Sequence, residues 1–221
     1  MEITLARINS DPRINEFIRQ TEKALKVQGF TEHGFRHANL VASRARTVAQ
    51  MIGLSKKEQE LAAVAGYCHD MANFLGRTHH HYWGALLFGQ LYLKDNNPKD
   101  VALVMQAIAN HDKEEMKLSN PISAVLVLAD KSDVHRERVS QVSASRLKVD
   151  IHNRVNYATI ASKLGIDKKT KEIKLSLKID TKIVPIMEYF EIFTQRMVYC
   201  RKAAEYLGYK FTLEINKFKL L

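Results

Sequence analysis

The sequence predicts a mainly α-helical protein with a small α+β extension at its C-terminal end. Three observations carry this expectation. Helix-start signals recur along the first two thirds, apolar residues there keep three- and four-residue spacing, and beyond about residue 150 the period changes to strict alternation. The expected division is a helical body over residues 1–145 and an extension over 146–221 packed on it, made of a three-stranded antiparallel sheet and one helix.

The first helix opens at Asp11-Pro12, an N-cap followed by proline at the first helical position. Ile14, Phe17, Ile18, Thr21 and Leu25 then hold one face until Gly29. A second helix starts near Thr31 and carries Val41, Ala45, Val48, Ala49 and Ile52 to Gly53. Ser55 and Glu58 form a capping box, because the serine accepts from the third helical N–H while the glutamate reaches back. That box opens a third helix through Leu61, Ala62 and Ala65; a fourth covers about 79–93, a fifth begins at Asn97-Pro98 and a sixth at Asn120-Pro121.

In the extension, Ile173, Leu175, Leu177 and Ile179 alternate with Lys174, Ser176 and Lys178, the pattern of a strand with one wet face. Residues 155–166 and the polar turn after them supply its hairpin partner, and Phe211, Leu213 and Ile215 mark a third strand. Between these lies a helix whose Phe190, Phe193, Met197, Cys200, Ala204 and Leu207 can cover the dry face.

The net charge of +10 is uneven: residues 1–145 hold 18 Lys+Arg against 16 Asp+Glu (+2), and 146–221 hold 16 against 8 (+8). Lysines commonly solvate a sheet face and guard its edges, and that reading is favoured over a dedicated nucleic-acid surface. Cys68 and Cys200 sit in apolar helical contexts and read as reduced thiols. The N-terminal stretch is too charged for a secretory signal, and no apolar run approaches the roughly 18 residues of a membrane span. The expectation is a soluble, cytoplasmic protein with no membrane partner.

Residues 65–74, AGYCHDMANF, place His69 and Asp70 side by side at the end of an apolar helix. An ionised carboxylate buried alone costs several kcal/mol, so Asp70 needs a counter-charge, a hydrogen-bond donor or a metal. His37 precedes Val41 by one turn, Asp130 follows Leu126 by one turn, and His111 ends the run VALVMQAIANH. Three imidazoles and two carboxylates turned toward one interior make a nitrogen and oxygen ligand set suited to divalent metals.

His37, His69-Asp70 and Asp130, in that order on successive helices, resemble the HD superfamily of metal-dependent phosphohydrolases. HANLV (37–41), CHDMAN (68–73) and LADKSD (128–133) are similar to its motifs. The resemblance implies His37, His69, Asp70 and Asp130 as ligands of one ion, with Asp70 bridging to a second held by His80 and His111. Within HHHYWGA the family pattern selects His80, with His81 the other choice. Asp112 stands where some two-metal relatives carry a second histidine. The implied cofactor is one or two divalent ions (Mn, Fe, Co, Ni, Zn or Mg), and the implied reaction is hydrolysis of a small phosphorylated substrate, a nucleotide or phosphate ester. Asp70 and Lys131 are the catalytic candidates; Lys131, Arg136, His33 and His81 are the candidates for holding phosphate. Two alternatives accompany this reading: an HD-type diiron oxygenase, and a regulatory or nucleic-acid-binding module with a structural metal. Homodimerisation through the edge strand near 211–216 is a further option.

Overall fold

The computed structural model describes residues 2–113, 116–139 and 147–220. The body comprises α1 (Leu5–Asn9), α2 (Pro12–Gln28), α3 (Phe35–Ile52), α4 (Lys56–Cys68), α5 (His80–Tyr92), α6 (Pro98–Asn110) and α7 (Pro121–Lys131), with 3-10 turns at Asn73–Leu75 and Arg136–Arg138. Side chains cap the helices where the sequence signals them: Asp11 accepts from the Arg13 N–H, Asn97 from Lys99 and Asn120 from Ser123. Ser55 and Glu58 complete their capping box, and the left-handed Gly29 and Gly53 close α2 and α3.

The middle of the body is α4, buried at every position from Leu61 to Cys68. Around it pack α3, α6 and α7. At Gly66 α3 and α4 approach closely: a Cβ there would lie 2.9 Å from the Ala42 Cα, the Ala42 N and the Val41 O.

The extension contains α8 (Ile151–Ala158), β1 (Thr159–Asp167), β2 (Glu172–Ile179), α9 (Ile186–Tyr206), β3 (Lys210–Ile215) and β4 (Phe218–Lys219). Its sheet has four strands in the order β1-β2-β3-β4, against the three antiparallel strands expected. β1 and β2 form an antiparallel hairpin with Leu164 opposite Leu175, whereas β2 and β3 are parallel, with Leu175 opposite Leu213. The parallel pairing follows from the 21-residue α9, which carries the chain back along the sheet before β3 begins. The fourth strand arises because Asn216 (φ 52°) and Lys217 (φ 72°) both take positive φ, the geometry of a two-residue hairpin turn. β3 is therefore interior, and 211–216 is not an edge.

Residues 155–158, expected to begin the hairpin, instead end α8. Asp150 starts that helix by accepting from the His152 and Asn153 N–H groups.

Ile173, Leu175, Leu177 and Ile179 are buried, as are Phe193, Met197, Cys200, Ala203 and Ala204 on α9. They belong to one apolar core that runs without a break into the helical body. Arg44 on α3 reinforces the junction, donating to the Ser132 Oγ at 2.9 Å and to the Ser162 carbonyl at 2.8 Å. Both cysteines are free and buried. Among the described residues no helix is long and apolar enough to cross a membrane.

Candidate metal centre

Helix ends build the centre. His37 lies in the first turn of α3, His69 caps α4 and Asp70 follows it, His80 opens α5, His111 caps α6, and Asp130 lies in the last turn of α7. All six side chains are buried. The turn carrying Asp70 is anchored by Thr21 of α2, whose hydroxyl donates to the Met71 carbonyl at 3.0 Å and accepts from the Phe74 N–H at 3.2 Å.

The six groups face one another in two halves. His37 Nε2 and His69 Nε2 are 3.1 Å apart. Asp70 Oδ2 lies 3.6 and 3.3 Å from them, and Asp130 Oδ1 lies 3.4 and 3.7 Å from them. In the other half, His80 Nε2 and His111 Nε2 are 3.2 Å apart, with Asp70 Oδ1 at 3.0 and 3.6 Å. Asp70 thus turns one oxygen to each half.

Hydrogen bonds fix which nitrogen of each ring faces inward. His69, His80 and His111 donate through Nδ1 to the carbonyls of Gly66, Arg77 and Ile108 at 2.7–2.8 Å. His37 does the same to Asp133 Oδ2 at 2.7 Å. A carbonyl only accepts, so in the neutral ring the Nε2 lone pair points into the cluster. Two such lone pairs at 3.1–3.2 Å repel unless positive charge stands between them.

The electrostatics agree. Burial alone would lower the pKa of His69, but Asp70 and Asp130 outweigh it and raise it to about 10. Asp70 and Asp130 are held well below the usual carboxylate range despite burial, Asp70 chiefly by His69 and Asp130 chiefly by Lys131. Three overlapping triads have ligand atoms within 4.8 Å of one another: His37/His69/Asp70, His69/His111/Asp130 and Asp70/His80/His111. This donor set fits divalent metal ions.

The supporting groups are equally specific. Asp133, fully buried, binds His37 and accepts from Arg36 at 2.7 Å. Lys131 is buried with its ammonium 2.8 Å from Asp112 Oδ1 and 2.9 Å from Asp130 Oδ2. Asp112, in the position of a second consecutive histidine, turns toward Lys131, and its Oδ2 stays 4.0 Å from His80.

Other expected site residues are placed variously. It is His80, not His81, that enters the cluster. His81 is buried beside it, its ring 5.5 Å from that of His80, and among the described residues neither ring nitrogen has a hydrogen-bond partner. Burial, then the neighbouring His111 and His80, push its pKa down to about 4. His33 is buried rather than a surface residue, its ring 5.5 Å from that of His37 and its Nδ1 2.6 Å from the Thr31 carbonyl. Arg136 is not brought to the cluster: it is exposed, over the Tyr157 ring at 5.5 Å. The 3-10 turn instead buries Arg138, which donates to the Asp133 carbonyl at 2.8 Å.

Sequence reasoning left Asp133, Arg138 and Arg77 without roles. Asp133 had a signal, lying three residues beyond Asp130 within LADKSD; Arg77, three before His80, had none beyond its charge. Arg77, Thr78, His79, His81, Tyr82, Asn110, Asp112, Lys113 and Lys117 line a cleft of about 700 Å³ beside the cluster.

Residues 34–143 match the family model described as HD domain. The chain is an HD-domain protein. The match runs from the residue before α3 past the Arg136–Arg138 turn, so it contains all six clustered groups, while α8, the sheet and α9 lie outside it. A comparison with curated proteins returned no match. HD domains bind divalent metals and are in general metal-dependent phosphohydrolases, and the His/Asp cluster is able to hold such an ion.

Proposed function

We propose that the protein is a divalent-metal phosphohydrolase acting on a small phosphorylated molecule, a nucleotide or phosphate ester. The observation that carries this reading is the division of Asp70, one oxygen toward the His37/His69 pair and the other toward the His80/His111 pair. His37, His69, Asp70 and Asp130 would hold one ion and Asp70, His80 and His111 a second. When bound, the ions supply Lewis acidity that ionises water near neutral pH and offsets charge building on the phosphoryl group.

The chain's own residues do the rest. The Nδ1 hydrogen bonds keep the four imidazoles turned inward. Lys131 occupies Asp130 Oδ2, which leaves Oδ1 toward His37 and His69. Its ammonium stays protonated, because Asp130 and Asp112 outweigh the effect of burial, and it adds positive charge where the phosphoryl oxygens would sit. Arg77, Lys113 and Lys117 on the cleft wall are suited to the remaining phosphate charge, and His81 offers a neutral ring nitrogen there.

The test is phosphate release by protein loaded in turn with Mn, Fe, Co, Ni, Zn or Mg, screened against nucleotides and phosphomonoesters. Release with at least one metal, abolished by Asp70→Ala, is expected. Release that survives Asp70→Ala, or none with any metal, would overturn the reading.

A further inference from the structure

Outside the HD match, the sheet of the extension carries a cleft of about 530 Å³. Three local departures from a regular sheet shape it. In β1 the register against β2 slips between Thr159 and Ala161, so Ile160 is an extra residue, a bulge that re-aims the side chains around it. Across β2, Asn216 clamps the β3–β4 turn to the end of that strand: its Oδ1 accepts the Ile179 N–H at 2.8 Å and its Nδ2 donates to the Ile179 carbonyl at 2.9 Å. The chain then turns at Asp180, whose N–H donates to the Ala158 carbonyl at 2.8 Å and whose carboxylate accepts the Lys182 N–H at 3.0 Å.

Four lysines line this cleft: Lys163 of β1, Lys178 of β2, Lys182 beyond it and Lys217 in the β3–β4 turn. All four are exposed, and among the described residues none of their ammonium groups has an ion pair or a hydrogen bond. Neighbouring lysines of the same sheet behave differently: Lys174 pairs with Glu214 and Lys219 with Glu172. Glu214 and Asp180 are the two carboxylates of the lining. With Glu214 taken by Lys174, Asp180 alone stands against four ammonium groups. The rest of the lining includes aliphatic Ile160, Leu177 and Ile179, but neither an arginine nor an aromatic ring.

We propose that this cleft binds a small molecule bearing two or more linked phosphates, at a site separate from the metal centre. Its volume lies in the range of small-ligand clefts, roughly 300–1,000 Å³, and its charge is complementary to such a ligand. Several compact ammonium groups around one space suit an anion that presents charge in several directions; a single carboxylate would leave most of them unanswered. A nucleic-acid strand suits it less, because single strands are held by stacking their bases on aromatic rings, and no ring lines this cleft. The groups of metal-ligating side chains among the described residues all belong to the cluster, so the cleft lacks the cluster's means of activating water. Ile160 and Ala161 also line a second cavity, of about 640 Å³, together with Asp133, the partner of His37. The proposed site therefore adjoins the support of the metal centre and does not depend on the phosphohydrolase reading.

The experiment titrates inorganic triphosphate by calorimetry into the metal-free full chain. Three double variants that each remove two charges are compared with wild type: Lys163→Gln with Lys178→Gln in this cleft, Lys113→Gln with Lys117→Gln in the cleft beside the cluster, and Lys168→Gln with Lys169→Gln in the β1–β2 turn. The first pair is expected to weaken one binding event roughly tenfold or more, and that event should persist in the other two variants. Wild type that binds no triphosphate would overturn the proposal. So would equal weakening in the first and third variants, which would mark an effect of net charge alone, or binding lost only with the Lys113/Lys117 pair. A single-stranded oligonucleotide held through Lys163 and Lys178 more tightly than triphosphate would overturn the small-anion assignment in favour of nucleic acid.

Discussion

Replacing Gly66 with alanine tests whether the α3–α4 crossing sets the geometry of the metal centre. Helix propensity alone would favour alanine by roughly 1 kcal/mol. Against this, the new Cβ meets three atoms at 2.9 Å, where ordinary carbon contacts begin near about 3.5 Å. All three are backbone atoms of α3, so no rotamer change relieves them, and the helices must part by roughly half an ångström. Because nothing but backbone can give way, the cost falls in the upper part of the range for overpacking, about 2–3 kcal/mol, which leaves a net loss of about 1–2 kcal/mol. At this chain length each kcal/mol lowers Tm by about 2–4 °C. The Gly66 carbonyl also accepts the His69 Nδ1–H at 2.8 Å, so displacing α4 draws His69 away from His37. Thermal unfolding followed by circular dichroism, with metal content after dialysis, should show both effects in Gly66→Ala. Gly89→Ala is the control, because its Cβ meets only the flexible end of Met105. A Gly66→Ala protein that melts at or above the wild-type temperature with full metal content would refute the argument.

Two further outcomes follow from the same contacts. Asp133→Asn removes the charge that orients His37 and balances Arg36; metal affinity should fall about 10–100-fold, read by elemental analysis after dialysis against graded chelator, and an unchanged affinity would deny Asp133 its positioning role. Asp11 caps α2, accepts from the Tyr92 hydroxyl at 2.6 Å and is held far below the usual carboxylate range, chiefly by its hydrogen bond to Arg13. Asp11→Ala should therefore lose about 1 kcal/mol or more at pH 7. A depressed folded-state pKa contributes stability that is present above the unfolded value, about 3.9, and is lost as pH falls toward the folded one. The difference between wild type and Asp11→Ala should hold from about pH 5 to 8 and narrow below pH 4 in urea titrations; an equally wide gap at pH 3 would contradict it.

Elements with local punctuation were legible in the sequence. Asp11-Pro12, Ser55 to Glu58, Asn97-Pro98 and Asn120-Pro121 each open a helix, because capping is decided within one turn of chain. The same locality made the cluster legible, since His37, His69, Asp70, His111 and Asp130 all stand on apolar helix faces or ends. Two features of the extension were hidden for a different reason. The β2–β3 pairing depends on where α9 returns the chain, and β4 has two residues, too few for alternation to show. Arg138 and Arg136 illustrate the limit at the site: both are arginines past α7, and only the tertiary turn decides that one is buried on Asp133 while the other faces solvent over Tyr157.

The shared carboxylate of Asp70 makes the two halves of the cluster thermodynamically dependent. Any ligand that draws on one of its oxygens alters the electron density and freedom left to the other, so affinity at one half responds to occupancy of the other, and by reciprocity the effect runs equally in both directions. A change at His80 or His111 leaves every donor of the His37/His69 half in place, whereas a change at Asp70 strikes both at once. Under the two-ion reading proposed above, metal titration curves are accordingly to be fitted as a coupled pair and not as two independent sites.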